Sequence, residues 1–131
     1  MPSHSKELTV RHGRQLTSDS AQLALGDSNT CAYVTAFKCW GTNSEGQLGD
    51  GTEGTGADNR YTPTTINVGG TVGLLTLGSG HACAYVTAGA GALKCWGWND
   101  SGQLGDGTKT DRRTPTTIDV GGPVGLLALG G

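Results

Sequence analysis

The sequence predicts an all-β chain dense in turns, and three observations carry that prediction. Glycine supplies 24 of the 131 residues and threonine 18, while aromatic residues are only 5%. Glycine costs about 1 kcal/mol against alanine inside a helix, and threonine favours strands, so a helical bundle is excluded. The chain also repeats itself, with an internal period near 52 residues.

Leu23-Ala-Leu-Gly, followed by Thr30-Cys-Ala-Tyr-Val-Thr35, returns as Leu75-Thr-Leu-Gly and Ala82-Cys-Ala-Tyr-Val-Thr87, an offset of 52. Lys38-Cys-Trp-Gly and Gly46-Gln-Leu-Gly-Asp-Gly-Thr52 return as Lys94-Cys-Trp-Gly and Gly102-Gln-Leu-Gly-Asp-Gly-Thr108, an offset of 56. Thr62-Pro-Thr-Thr-Ile then returns as Thr114-Pro-Thr-Thr-Ile, back at 52. The length differences fall around Gly89-Ala-Gly-Ala and between Gly51 and Tyr61, where loops belong. The repeats divide the chain into a polar lead-in (1–20), a first unit (21–73), a second unit (74–125) and the opening strand of a truncated third (126–131). The lead-in reads as disordered rather than docked.

Runs rich in Val, Ile, Thr and Tyr, punctuated by Gly, Asn-Ser and Asp-Gly, predict strands. They fall at 22–26, 30–35, 37–41 and 64–68 in the first unit. In the second they fall at 74–78, 82–88, 92–97 and 116–120. Four strands per ~52 residues is the size of one β-propeller blade.

Within each unit, Asp50-Gly51 and Asp106-Gly107 are turn dipeptides in which glycine supplies positive φ. Gly46, Gly49, Gly102 and Gly105 space the same loop, and Gly49 and Gly105 predict a close approach to neighbouring backbone. Leu48 and Leu104 are its expected buried anchors. Trp40 and Trp96 are expected to pack between adjacent blades. Trp98 has Thr42 as its counterpart, so it is read either as an exposed binding contact or as a local plug.

The four cysteines form two pairs, Cys31/Cys39 and Cys83/Cys95, each flanking a predicted hairpin centred on Thr35 or Gly89. Residues equidistant from a hairpin's centre face each other on one side of the sheet, which suits a disulfide within each hairpin. Buried thiols are the alternative, and zinc is a poor fit because no Cys-x-x-Cys is present and only His81 lies near. Disulfides imply an oxidising, extracellular-type compartment, although no signal-peptide pattern is visible.

Trp-Gly, then Asn, then Gly-Gln-Leu-Gly-Asp-Gly-Thr, then Thr-Pro resembles the repeat of the regulator of chromosome condensation family in its bacterial form. The likeness covers roughly residues 22–131. It implies β-propeller blades, of which members usually carry seven. The chain is thus expected to be part of a propeller, or the protomer of an oligomeric propeller or a filament. The family's eukaryotic founder exchanges nucleotide on a small nuclear GTPase, but the residues of that activity have no match here.

Other chemistry is thin. No Gly-x-Ser-x-Gly, His-Glu-x-x-His or Lys-bearing phosphate loop occurs. Gly49-Asp-Gly-Thr-Glu-Gly54 fits Gly-x-Gly-x-x-Gly only by chance, since its twin ends in Thr110 and no helix follows. Asp106 and Asp111 are weak evidence for calcium, and Asn99-Asp-Ser is a glycosylation sequon by pattern alone. His81, standing where the first unit has Asn29, reads as structural. Net charge is −2 with no basic stripe, and no apolar run approaches the ~18 residues of a membrane span.

The sequence therefore predicts no enzyme, no cofactor and no metal, with neither nucleic acid nor membrane as partner. The expected function is protein interaction or self-assembly, the partner being other copies of this chain. A GTPase exchange factor (by family analogy) and a carbohydrate-binding propeller (on Trp98) are the alternatives. Two blades fall short of the three or more repeats that stability normally requires. Three copies would close a six-bladed ring and four an eight-bladed one, while a rotation that fails to close gives a filament. The 126–130 strand would compete in a ring with the next copy's first strand.

Overall fold

The computed structural model describes residues 21–54, 56–89 and 91–125. The expectations for 1–20 and 126–131 lie outside those residues. Eight strands form two four-stranded sheets. β1 (Gln22–Leu25), β2 (Asn29–Tyr33), β3 (Phe37–Gly41) and β4 (Arg60–Thr65) make the first. β5 (Val72–Leu77), β6 (His81–Val86), β7 (Ala92–Gly97) and β8 (Arg112–Ile118) make the second. Strands pair in sequence order and antiparallel throughout, so each sheet is a meander. A single 3₁₀ turn, Gly56–Asp58, interrupts the loop between β3 and β4.

The fourth strands depart from the sequence reading. They run over Arg60–Thr65 and Arg112–Ile118, beginning about four residues before the predicted 64–68 and 116–120. Each strand thus takes in a Thr-Pro, where proline cannot donate to a ladder. Both prolines are tolerated because β4 and β8 are the outermost strands of their sheets. The ladder there is also irregular: after Cys39↔Thr64 it resumes at Gly41↔Arg60, and after Cys95↔Thr116 at Gly97↔Arg112. Such a slip turns the backbone sharply. Gly97 (φ 104°) sits at that point because a Cβ there would lie 2.5 Å from the Gly80 carbonyl and 3.2 Å from Gln47 Cα.

Burial follows the alternation of the strands. One face of the first sheet, with Cys31, Phe37, Cys39 and Ile66, packs against Leu75, Leu77, Ala82, Ala84 and Trp96 of the second, in one continuous core. A smaller cluster of Leu74, Cys83, Leu93, Cys95, Leu104 and Ile118 lies apart from it. It occupies the second sheet's other face, the one that alternates outward from Ala82, Ala84 and Trp96. Among the described residues no helix is long and apolar enough to cross a membrane.

Candidate functional site

The motif loop after β3 is tied by a knot of polar groups centred on Asn43, which is fully buried. Its side-chain carbonyl accepts from Leu48 N at 3.1 Å, pulling Leu48 inward. Its Nδ2 donates to Thr52 Oγ1 at 2.8 Å and to the Thr52 carbonyl at 3.0 Å. Asp50 accepts from the Thr52 amide and hydroxyl at 3.0 and 2.6 Å, and Arg60 Nε closes the knot on Asp50 Oδ2 at 2.8 Å. The second unit repeats the arrangement: Leu104 N donates to Asn99 Oδ1 at 2.9 Å, and Arg112 Nε donates to Asp106 Oδ2 at 2.6 Å.

These carboxylates are committed to the loop. Burial pushes the Asp50 carboxyl up, but hydrogen bonds from Thr52 and Arg60 outweigh it and hold its pKa below the usual carboxylate range. The Thr108 hydroxyl and then Arg112 hold Asp106 well below that range. Asp111 accepts from the Asn99 amide at 2.8 Å. The two carboxylates considered for calcium are thus engaged by protein donors. Asn99 is fully buried, with its Nδ2 bonded to Asp106, Thr108 and Thr110, so the sequon is closed to modification in this fold.

The knot shapes a seat for the neighbouring blade. Trp96 is fully buried and reaches across the joint to donate from its indole Nε1 to the Gln47 carbonyl at 2.9 Å. Its ring meets Phe37 edge-on, with centroids 5.9 Å apart and an 80° interplanar angle. Beneath it lies Gly49 (φ 81°), where a Cβ would come within 2.7 Å of Nε1, so no larger residue fits the seat. Gly51 N donates to the Arg113 carbonyl at 2.8 Å, and Ser79 Oγ to Asp27 Oδ2 at 3.0 Å, across the same joint. Arg113 also approaches Glu53 at 3.4 Å.

The remaining residues named from sequence fall as follows. Trp40, whose local sequence matches that of Trp96, is only half-buried and borders a shallow apolar surface with Ala32, Val34 and Pro63. The interblade packing expected of both tryptophans is therefore made, among the described residues, by Trp96 alone. Trp98 is half-buried over Gly80 on the first unit's side of the second sheet, its amide donating to the Gly80 carbonyl at 2.8 Å. Leu48 and Leu104 are buried, and Gly51 and Gly107 have φ of 90° and 85°. Gly46 and Gly49 are buried, whereas Gly102 and Gly105 are exposed.

Disulfides join Cys31 to Cys39 and Cys83 to Cys95, each between directly opposed residues 4.1 Å apart at Cα. His81 is buried, which lowers its pKa, and its Nδ1 lacks a hydrogen-bond partner among the described residues, as does Asn29 Nδ2 at the matching position. Sequence reasoning missed Arg60 and Arg112, and it saw Asn43 and Asn99 in the repeat string without their role as the centres of the two loops. The signal that marks them is their recurrence at the two repeat offsets, 56 and 52.

Two meander blades, each carrying the same motif loop and meeting at one joint, define tandem units of β-propeller type. Residues 90–128 match the regulator of chromosome condensation (RCC1) repeat. The chain is 37% identical over 100 residues to the ultraviolet-B receptor UVR8 of Arabidopsis thaliana, which covers 73% of this chain. It is 34% identical over 84 residues, 64% of this chain, to the probable E3 ubiquitin-protein ligase HERC3 of Homo sapiens. Those stretches span only 22% and 8% of the two relatives. The crystal structure of human WBSCR16 shares the fold, with a TM-score of 0.66 at 19% identity over 76% of this chain and 26% of that one. The chain carries RCC1-type repeats.

Proposed function

We propose that this chain is a non-enzymatic protein-interaction module that assembles with copies of itself. The observation that carries the reading is the joint: the two units bury their contact surfaces through Trp96 and the Asn43–Gly49 loop, and each unit owns both halves of that joint. A repeat that buries its faces only against neighbours recruits further neighbours. The polar groups of the motif loops are spent on holding those loops in shape, which leaves binding rather than catalysis as their use. The two disulfides support a place for it in an oxidising compartment.

Size-exclusion chromatography with light scattering, from micromolar to near-millimolar loading, tests this. Masses rising in whole multiples of 13.3 kDa are expected. A discrete trimer or tetramer would correspond to a six- or eight-bladed ring, and growth without limit to a filament. A mass of one chain at every concentration would overturn the reading.

A further inference from the structure

The joint inside the chain is asymmetric, and among the described residues its two halves reappear elsewhere without a partner unit. Gly46, Gln47 and Gly49 are buried, Gln47 and Gly49 under Trp96 and Gly46 against Arg113, while in the second unit's copy of that loop Gly102 and Gly105 are exposed. Among the described residues, a Cβ at Gly105 would meet only Ile118 of its own unit, at 3.5 Å. The knob is Trp96, fully buried, and its twin Trp40 is only partly buried.

Two valines show the same division, one on each half. Val86 and Val68 are 3% and 4% exposed in the shared core, whereas their counterparts Val34 and Val120 are 51% and 57% exposed. The polar positions also transpose. Ser79 and Asp27 are each other's counterparts at offset 52, but the one Ser79 O–H is already donated to Asp27 within the chain, so between chains these two groups meet without repeating that hydrogen bond. The Arg113–Glu53 ion pair becomes Tyr61, which is 84% exposed, beside Lys109, with no clash of like charge.

We propose that the Trp40 face of one copy docks on the Asn99–Gly107 loop of a second copy. The Trp40 indole N–H donates to the Gln103 carbonyl, with the ring over Gly105. This rests on the self-assembly reading and names the surfaces it uses. The contact is heterologous, head to tail, so an open assembly keeps one free knob at one end and one free seat at the other until it closes. Residues 126–130, which repeat the sequence of β1, lie outside the described residues. The contact at Trp40 runs through β3 and a loop, and so does not depend on which of the two segments fills the β1 position.

A mixing experiment tests the proposal. Trp40→Gln removes the knob. Gly105→Asn fills the seat, using the side chain that best tolerates positive φ. Each full-length variant alone is expected to associate about 30-fold or more weakly than wild type, the loss typical of an aromatic hot spot. Mixed in equal amounts, where wild type assembles, they form a dimer and stop, because one variant retains Trp40 and the other retains Gly105. The dimer also shows that both variants are folded.

If wild type assembles and either variant assembles equally well, the joint is overturned while the self-assembly reading stands. If both variants are monomeric and their mixture stays monomeric, the head-to-tail pairing is likewise overturned. A wild type that is monomeric throughout, as when some other polypeptide covers the Trp40 face, overturns both.

Discussion

Trp96→Ala is expected to destabilise the fold by about 3–5 kcal/mol, the range for deleting a buried large aromatic. Trp96 is fully buried, lies edge-on to Phe37, and holds the Gln47 carbonyl of the other unit at 2.9 Å. Its loss opens a cavity between the sheets and strips a buried carbonyl of its donor, and both effects have the same sign. Domains of this size hold only about 5–15 kcal/mol in total, so the variant should sit at the edge of unfolding. Trp40→Ala, measured dilute enough to keep the chain monomeric, is expected to cost less, about 1–2 kcal/mol, because its side chain is only partly buried. Urea unfolding followed by circular dichroism gives both numbers. Equal costs for the two tryptophans would mean that the internal joint does not bear on stability as argued.

Reduction of both disulfides is the second large effect. The bridges close loops with sequence separations of 8 and 12 residues. On the chain-entropy argument each contributes about 2.5–3 kcal/mol, or about 5 kcal/mol together. With so few large apolar side chains, a loss of that size should unfold the protein at moderate temperature. Thermal melts with and without reductant should therefore separate by tens of degrees. Alkylation of the unfolded, unreduced protein should find no free thiol. Four alkylatable thiols in protein made under oxidising conditions would remove the disulfides from the account.

Much of the fold was legible because the repeat sets it twice. The hairpin centres at Thr35 and Gly89 place each cysteine opposite its partner by simple counting, and the structure pairs Cys31 with Cys39 and Cys83 with Cys95 directly. The family string was equally plain. What the sequence hides are effects that depend on position in the sheet. Thr-Pro looks like a break, yet Pro63 and Pro115 lie within outermost strands where no donor is required. Asn43 and Asn99 look like ordinary turn residues, and only the folded loop brings Leu48, Thr52 and Asp50 around the first of them. Trp40 and Trp96 share one local sequence and differ only in what stands beside them. No local reading separates that pair, and the difference between them carries the proposed assembly.

Hydrogen exchange at the three indole N–H groups, followed by NMR as concentration is raised, tests that assembly most directly. The Trp96 indole, buried and bonded to the Gln47 carbonyl, should exchange slowly at every concentration. The Trp40 indole should exchange fast when dilute and gain protection as copies associate, while Trp98, outside the proposed contact, should not change. A Trp40 indole whose exchange stays fast while the mass of the assembly rises would contradict the account.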